Sequence, residues 1–362
     1  MDSPYEKELR LAFGAIQNAA FISQSMVSSK DKGDVEKADL SPVTVADFAV
    51  QALLVASLKG AFPNDSFVGE EDASYMRSNP ALLDRVWALV SGVSAEALAA
   101  TGGRVPASKE ELCDLVDQCG SSTPGGAGSG RTWVFDPIDG TKTYMMGQVY
   151  AINAALLVDG QQTVGVVGCP NTSMDAKAPM NNPDIDPSSG GCILFAVRGH
   201  GAYVRPLAGD ASSVPIRKLA TSTAEGLSSL RFVTANSIVD SALDGVHEVV
   251  AERMGVPYPG CDLLPWVLRW AMLALGLGNV TVWVYKKKTR VGKVWDHAGA
   301  MLLFEEAGGK ITDVLGRDID LTKGRKMVEN FGFVAAPKDM HAKVLQIVHD
   351  VLKEQGHGDL LQ

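Results

Sequence analysis

The stretch WVFDPIDGT, Trp133–Thr141, joins an apolar strand to two closely spaced carboxylates. The strand ends at Asp136, Pro137 fixes the backbone of a turn, and Asp139 follows two residues later. Two carboxylates and the Ile138 carbonyl can then converge on one point. Oxygen donors at this density suit Mg²⁺, which also takes water and substrate phosphate oxygens as ligands. The stretch therefore predicts a magnesium site at a strand end, although alone it is equally typical of an ordinary capped turn.

Gly140 and Thr141 follow the second carboxylate and are predicted to begin a helix. The first N–H groups of a helix have no partner within it, and the helix dipole favours negative charge at this end. We therefore expect a phosphate group to bind at Gly140 and Thr141.

Further acidic residues lie at similar junctions between apolar segments and turns or helices. The segment GEED, Gly69–Asp72, places Glu70 and Glu71 directly after a short predicted strand. Asp296 lies at the start of a predicted helix in VWDHAGAMLLFEEAGG, and Asp47 lies near the start of another. Each of these residues alone is typical of a helix cap or a solvated surface. Only their combination indicates a site.

The composition is that of an ordinary globular protein. The chain has 362 residues, of which 46% are hydrophobic and 21% charged, and this excludes collagenous, disordered and coiled-coil classes. The length predicts about two domains. A formal net charge of -9 argues against binding to a nucleic acid polymer or an anionic membrane. An anionic substrate would therefore need divalent cations to hold it.

Cysteine usage and the chain start predict a soluble cytoplasmic protein. The five cysteines are scattered without a C-x-x-C pair, so we expect reduced thiols and neither a disulfide framework nor a zinc site. The start of the chain is charged and has no apolar segment typical of a secretory signal. The longest uncharged stretch, Trp270–Tyr285, is shorter than the ~20 residues that a membrane span needs.

Hydrophobic periodicity predicts a change of architecture near residue 221. Before it, the predicted helices are 5–29, 44–58, 80–90 and 109–119, and the predicted strands are 62–68 (with its turn), 132–135, 150–158, 163–168, 192–197 and 201–204. The last four strands are expected to form an antiparallel meander. After residue 221, strands at 230–234 and 280–284 alternate with helices at 243–253, 263–275 and 297–306. We therefore expect domains over 1–220 and 221–362, with a variable insertion at 74–130.

The insertion ends in SSTPGGAGSG, residues 121–130, a flexible linker by composition. Glycine loops also bind phosphates through backbone amides. This one lacks the Gly-Lys-Ser/Thr ending and leads into a strand instead of a helix, so a phosphate loop is disfavoured.

Taken together, these segments resemble the inositol monophosphatase superfamily of Mg²⁺-dependent, lithium-inhibited phosphatases, and within it the 3'(2'),5'-bisphosphate nucleotidases. The matching stretches, in the order of the family, are ADLSPVTVADFAVQ (38–51), FPNDSFVGEED (62–72), WVFDPIDGTKTY (133–144), YAINAALLVDG (150–160), VGVVGCPN (164–171), AVRGHGAY (196–203), LALGLGNV (273–280) and KVWDHAGAMLLFEEAGGKITD (293–313). The resemblance implies an α/β fold, an α+β layered sandwich of alternating helix and sheet layers. It has an antiparallel N-terminal sheet and an α/β C-terminal domain, with the site between the domains.

The resemblance also implies a role for each acidic residue. The metal ligands, for two or three Mg²⁺ ions, would be Glu70, Asp136, the Ile138 carbonyl, Asp139 and Asp296. Asp47 and Thr141 would hold and deprotonate the attacking water, with Glu71 in support. The implied reaction is in-line attack of water on a phosphate monoester with two metal ions, without a covalent intermediate.

The residues expected to bind the substrate depart from the family pattern. The corresponding positions here are Asn236, Ser237, Trp266, Arg269, Arg290 and Lys293. Arg269 in place of a lysine keeps a group that can contact an anion, but hydroxyl and imidazole donors are replaced by apolar side chains. We expect weaker selection for a nucleotide than the family shows, because unpaired polar groups cost ~1 to 3 kcal/mol each when buried.

Alternatives stay open at this point. His297 is interpreted as a packed residue in preference to a donor beside the metal, and Trp266, Trp270 and Trp283 as core in preference to a base-stacking surface. The expected substrate is a small phosphorylated metabolite, such as adenosine 3',5'-bisphosphate, hydrolysed by a monomer or homodimer. The alternatives are a phosphatase for another small phosphate or diphosphate, and a non-catalytic protein that binds phosphate or metal.

Overall fold

The computed structural model describes residues 3–27, 35–36, 42–126, 128–209, 213–238 and 241–362. The helices are α1 Glu6–Val27, α2 Val45–Ala61, α3 Ser74–Ser78, α4 Pro80–Ser91, α5 Ala95–Thr101, α6 Lys109–Ser121, α7 Thr141–Met145, α8 Val246–Met254, α9 Trp266–Leu275, α10 Ala300–Glu306 and α11 His341–Glu354. The strands are β1 Val35–Glu36, β2 Pro42–Val43, β3 Ser66–Gly69, β4 Arg131–Asp139, β5 Ala151–Val158, β6 Gln161–Cys169, β7 Cys192–Val197, β8 Gly201–Pro206, β9 Arg217–Lys218, β10 Val233–Thr234, β11 Cys261–Asp262, β12 Thr281–Trp283, β13 Gly309–Thr312 and β14 Phe333–Pro337. The predicted helix end at 28–29 lies outside the described residues.

The largest sheet has seven strands in the order β3-β4-β5-β6-β7-β8-β9. β3 and β4 are parallel and all other neighbours are antiparallel, so the predicted meander is confirmed. The register of β4 with β5 shifts between Asp136 and Asp139. Pro137 lies in this interval, and it has no N–H to donate to a neighbouring strand. The irregularity places both carboxylates at the end of regular pairing.

Residues 74–121 form the connection that the parallel pair β3 and β4 requires. The connection contains α3, α4, α5 and α6, of which α4 and α6 were predicted. α4 and α6 pack on α2, and α5 packs on α1. α5 was missed because its sequence AEALAAT has no buried residue and therefore no apolar periodicity to detect.

Helices pack on both faces of the large sheet. α1 and α2 contact strands β4, β5 and β6, whereas α9 and α10 contact the same sheet together with β10 and β13. A second sheet has the antiparallel order β12-β14-β13, and α11 packs on β14 beside α8. The alternating layers of helix and sheet that the resemblance implied are therefore confirmed. The domain division near residue 221 stays a prediction.

Three helices begin later than predicted. α8 begins at Val246 instead of Leu243, because the Leu243 N–H donates to the Val284 carbonyl and Gly245 has a φ of 74°. α9 begins at Trp266 instead of Leu263, because the Leu263 N–H donates to the Thr234 carbonyl and continues the extended segment of β11. α10 begins at Ala300 instead of His297, because Gly299 has a φ of 74° and interrupts the helix.

The state of the cysteines and the length of the apolar helices can be compared with the sequence. All five cysteines are buried and none forms a disulfide. No helix within the described ranges combines the length and apolar character that crossing a membrane would require.

The large sheet and the segment that leads into α10 approach each other closely at Gly165 of β6 and Gly299. A Cβ atom added to Gly165 would lie 2.2 Å from the Gly299 carbonyl oxygen, and one added to Gly299 would lie 2.5 Å from the Ala155 Cβ. No real side chain tolerates such distances. The residues after Asp296 can therefore lie directly on the large sheet only because both positions are glycine.

We predict that Gly299→Ala destabilises the protein more than Gly245→Ala. Both glycines have a φ of 74°, but nothing lies within 4 Å of a Cβ built on Gly245. The control should lose ~1 to 2 kcal/mol through backbone strain. Gly299→Ala should lose ~1 to 3 kcal/mol more through overpacking. Urea unfolding measures both losses. Equal losses in the free energy of unfolding would show that the structure around residue 299 accommodates the added methyl group.

Candidate active site

Three carboxylates meet at the end of β4. Oxygen atoms of Asp136, Asp139 and Asp296 lie within 4.8 Å of one another. Asp136 and Asp139 are buried and Asp296 is half-buried. The irregular end of β4 presents the first two carboxylates, and the 3₁₀ turn Val294–Asp296 brings the third from the C-terminal part of the chain. The structure thus brings together three of the residues expected to bind metal.

The cluster disfavours ionisation of its members. Burial, followed by the nearby charges of Glu70 and Asp139, raises the pKa of Asp136 well above its usual range. Burial also raises the pKa of Asp296 to about 6, and the positive charge of Lys293 opposes this shift. Negative charges packed at this density need a cation for all of them to ionise at neutral pH.

Asp139 connects the cluster to the C-terminal part of the chain. Its Oδ1 accepts a hydrogen bond from the Trp266 N–H at 3.1 Å, and its Oδ2 accepts one from the Leu268 N–H at 3.2 Å. These N–H groups belong to the first turn of α9, whose own N-cap residue, Pro265, provides no side-chain oxygen. Asp139 therefore caps α9 from a different element. Burial raises the pKa of Asp139, with Asp296 adding to the shift and these hydrogen bonds opposing it.

Gly140 allows this close approach. Its φ is 85°, and a Cβ atom built on it would lie 2.4 Å from the Pro265 Cγ. The predicted helix follows as α7, which begins at Thr141. Any other residue at position 140 would separate Asp139 from α9.

Glu70 and Glu71 lie directly after β3. The Oε1 atom of Glu70 lies 3.2 Å from the Lys293 Nζ atom, in a salt bridge between the two parts of the chain. The backbone of Glu71 is held by Gln51, whose Oε1 accepts from the Glu71 N–H at 2.9 Å and whose Nε2 donates to the Glu71 carbonyl at 2.8 Å. Lys293, which was expected to bind substrate, instead contacts one of the expected metal ligands.

Asp47 and Thr141 lie side by side, as the resemblance implied. The Thr141 Oγ1 is 3.4 Å from Asp47 Oδ1 and 3.2 Å from the Ile138 carbonyl oxygen. The other oxygen of Asp47, Oδ2, accepts from the backbone N–H and the hydroxyl of Thr44, at 2.7 and 2.6 Å. α2 is apolar on all sides and buried along most of its length, so its first turn holds Asp47 rigidly inside the protein.

The residues of the cluster suit a hard divalent cation. Carboxylate and carbonyl oxygens from Asp136, Ile138, Asp139 and Asp296 are the donors that such ions take. The Asp136 Oδ1 atom is buried and has no hydrogen-bond partner. A buried acceptor beside other carboxylates is stabilised by a cation more than by any neutral group.

Asn236 and Ser237 have exposed side chains and lie on the loop after β10. Their backbone N–H groups donate to Asp262, at 2.6 Å from Asn236 and 3.1 Å from Ser237. The Ser237 Oγ also accepts from the Asn182 Nδ2 at 3.4 Å. Arg290 is exposed as well. These side chains are accessible, but no described contact brings them to the carboxylate cluster.

Arg269 differs from its expected role because it is enclosed. It is 1% exposed, and it donates to the Leu263 and Leu264 carbonyls at 2.7 and 2.8 Å. Its guanidinium lies 3.9 Å from the ring centroid of Trp266 and 4.6 Å from that of Trp283. Two flanking rings separate Arg269 from solvent, which disfavours the expected contact with a substrate anion.

The aromatic residues form a cluster around His297. Trp270 and Trp283 are core residues, as predicted, whereas Trp266 is half-buried. The His297 Nδ1 accepts from the Trp270 Nε1–H at 3.0 Å, and burial lowers the pKa of His297 to about 3. His297 is therefore a packed residue, as interpreted from the sequence.

Arg325 is a residue that the sequence did not indicate. Its guanidinium donates to the Gly69 carbonyl at 2.6 Å and to the Cys119 carbonyl at 2.9 Å, and it lies 4.6 Å from the centroid of the Trp295 ring. It thereby ties the end of β3, next to Glu70, to the end of α6. No motif surrounds Arg325, so only the three-dimensional structure identifies it.

Comparisons with known proteins support the same interpretation. Residues 5–353 match the inositol monophosphatase family. The chain is 36% identical over 356 residues to a 3'(2'),5'-bisphosphate nucleotidase of Emericella nidulans, covering 96% of this chain and 99% of that protein. It is 34% identical to a 3'(2'),5'-bisphosphate nucleotidase of Schizosaccharomyces pombe, covering 98% of each. The structure is also similar to that of the IMPase of Thermotoga maritima, with a TM-score of 0.60 and 17% identity, over 96% of this chain and 99% of that one.

We predict an unusual pH dependence of stability in metal-free protein. The folded-state pKa of Asp296 is about 6, above the ~3.9 of an unfolded aspartate, so the folded state keeps a proton that the unfolded state loses. The free energy of unfolding should therefore fall as pH rises from about 4 to 6, by ~1 to 3 kcal/mol from this residue. Urea unfolding in excess chelator, at several pH values, measures the change. Asp296→Asn should make the fall less steep, although Asp136 and Asp139, whose pKa values are also raised, still contribute to it. Identical curves for the two proteins would contradict the shift.

Proposed function

The chain belongs to the inositol monophosphatase family, and from this premise we propose that it is a Mg²⁺-dependent phosphatase that removes the 3'-phosphate of adenosine 3',5'-bisphosphate or a closely related nucleotide. The family is metal-dependent and acts on small phosphorylated compounds. The observation that carries the proposal is the position of the Asp47 and Thr141 pair beside a cluster of carboxylates that suits a cation. The cytoplasmic location and the monomeric or dimeric state stay predictions from sequence.

We assign the cation to Glu70, Asp136, the Ile138 carbonyl, Asp139 and Asp296, with two or three ions in the site. When bound, Mg²⁺ would supply positive charge beside the phosphoryl oxygens and would acidify the attacking water. The side chains fix where that charge lies, because Asp136 and Asp139 are buried and Asp139 is hydrogen-bonded to α9. The cluster contains carboxylates of both parts of the chain, so cation binding should join these parts.

Asp47 and Thr141 are assigned to the proton of the water. The Thr141 Oγ1 has one hydrogen, which it can donate to Asp47 Oδ1 while its lone pairs accept a hydrogen bond from the water. Asp47 Oδ2 already accepts two hydrogen bonds from Thr44, which leaves Oδ1 directed toward Thr141. The pair then orients the water and takes up its proton, with Glu71 in support.

Gly140 and Thr141 are assigned to the phosphate group. The backbone changes direction at Gly140, so α7 begins beside the carboxylates that would hold the cation. Backbone N–H groups at a helix start can hold phosphate oxygens without adding another charged side chain.

The nucleoside would lie between the exposed loop of Asn236 and Ser237 and the half-buried ring of Trp266. In our proposal Arg290 lies on the exposed side of this region. Lys293 affects the site through its salt bridge with Glu70 and does not itself contact the substrate.

One observation favours a second candidate function. The ring of Trp266 contacts Trp270, Trp283 and Phe333, with centroid distances of 5.1 to 5.7 Å, and thus forms an apolar wall where polar donors would suit a nucleoside. A phosphate or diphosphate ester with an apolar body would match such a wall. A non-catalytic role is disfavoured, because a protein that only binds phosphate needs no Asp47 and Thr141 pair.

We predict that the purified protein with Mg²⁺ releases phosphate from adenosine 3',5'-bisphosphate and that Asp136→Asn abolishes this activity. The variant loses a buried carboxylate whose ionisation is disfavoured by burial and by the neighbouring carboxylates. Its melting temperature in chelator should therefore stay at or above that of the wild type. A malachite-green assay should include inositol phosphates, sugar bisphosphates and prenyl diphosphates.

Asp313→Asn is the matched control, since Asp313 is also fully buried but accepts from the Leu315 and Arg317 backbone N–H groups and does not belong to the cluster. It should lose stability and keep its turnover number. Faster phosphate release from another ester would support the second candidate function. No phosphate release from any ester would leave only the non-catalytic role.

We predict that Thr141→Ala and Asp47→Asn each lower kcat by ~10² to 10⁴-fold with much smaller changes in KM, as expected for residues that move a proton. The double variant should lose little more than either single one, because the two side chains act as one unit. Steady-state kinetics at saturating Mg²⁺ measures these values. Thr143→Ala is the control, because Thr143 lies on the same helix but donates to the Gly140 carbonyl at 2.8 Å. Changes confined to KM would reassign the pair to binding.

A further inference from the structure

Asn153 on β5 is the direct partner of Asp136 across the β4 and β5 pair. Directly opposed residues of antiparallel strands project their side chains on the same face of the sheet. The Asn153 amide therefore lies beside the Asp136 carboxylate, and it is fully buried, with 0% exposure. A fully buried amide next to a carboxylate cluster requires an explanation, especially since its Oδ1 atom has no hydrogen-bond partner and only its Nδ2 donors are bonded.

The amide group of Asn153 holds the turn that carries Asp296. Its Nδ2 donates to the Trp295 carbonyl at 2.9 Å and to the Ala298 carbonyl at 2.9 Å. These two carbonyls lie on either side of Asp296 and His297 in the sequence. Both hydrogens of the amide are thereby used, which fixes its orientation, because the reverse orientation would place Oδ1 against two other acceptors.

The neighbouring contacts support the same segment farther along the chain. The Gln162 Oε1 accepts from the Gly299 N–H at 2.8 Å, and Gly165 lies against Gly299. These contacts hold the residues that follow the turn. Among the side chains that the structure describes, that of Asn153 alone is hydrogen-bonded to the backbone on both sides of Asp296.

We propose that Asn153 is a positioning residue for the divalent-cation site, holding Asp296 at the distance from Asp136 that the cation requires. The inference rests on the proposed function, since it concerns the same cation. Like charges at this distance repel, so the turn needs an anchor that resists its movement away from the sheet. The anchor is neutral and donates only to backbone carbonyls, and it therefore positions the carboxylate without competing for it.

The test compares the Mg²⁺ response of Asn153→Ala and Asn153→Leu with that of the wild type. Both variants remove the two donors, and leucine keeps the volume of the side chain if alanine fails to fold. The melting temperature of each protein is measured during titration of the metal-free form with MgCl₂. We expect the concentration for half of the stabilisation to rise by ~10 to 100-fold, as for other residues that orient metal ligands.

Asn279→Ala is the matched control. Asn279 is also buried, and its side chain accepts from the Arg231 N–H at 2.8 Å and donates to the Thr223 carbonyl at 3.4 Å. This variant should melt at a lower temperature in chelator while keeping the wild-type half-saturating Mg²⁺ concentration. A purely structural Asn153 would behave in the same way, and that result would overturn the inference. If the wild type itself shows no stabilisation by Mg²⁺, the cation assignment of the proposed function fails instead.

Discussion

Asp136, Asp139 and Asp296 are brought together by segments from distant parts of the sequence. Carboxylates within 4.8 Å of one another in a mostly buried site repel strongly when ionised. A flexible chain would separate them. Here each is attached to a rigid element, namely the irregular end of β4 or a turn packed directly on the large sheet. The fold thus holds charges together that only a cation can stabilise at neutral pH.

The same cluster explains how the two parts of the chain are joined. Asp139 belongs to the large sheet and yet caps α9, while Lys293 and Arg325 belong to the C-terminal part and contact the end of β3. Glycines at 140, 165 and 299 remove the side chains that would keep these layers apart. The site therefore depends on both parts of the chain. A displacement of either part would change the distances between the carboxylates that are assigned to the cation.

Local patterns were sufficient to predict strands β4 to β8 of the large sheet and the acidic residues that follow strands, whereas the layers were implied by the family resemblance and β13, β14 and α11 were not predicted. The apolar run before Asp136 predicts a strand, and the proline after it predicts the irregularity that the structure shows. What could not be predicted are contacts between distant residues. Asn153 and Trp295 are 142 positions apart, and Arg325 and Glu70 are 255 positions apart. Neither pair has a motif, since a buried asparagine on a strand and an arginine on a loop are common for many reasons.

Arg269 shows why residue type alone is a weak guide to substrate binding. A guanidinium fits an anion when it is accessible, but here two of its donors are used by the carbonyls of the loop before α9, and its faces are covered by Trp266 and Trp283. Burial lowers its pKa to about 10, so it stays charged at neutral pH. Its positive charge therefore acts at a distance, opposing the negative charge of Asp139 at the start of α9. A guanidinium of a type that can bind phosphate instead favours the ionised form of Asp139 and packs against the rings of Trp266 and Trp283.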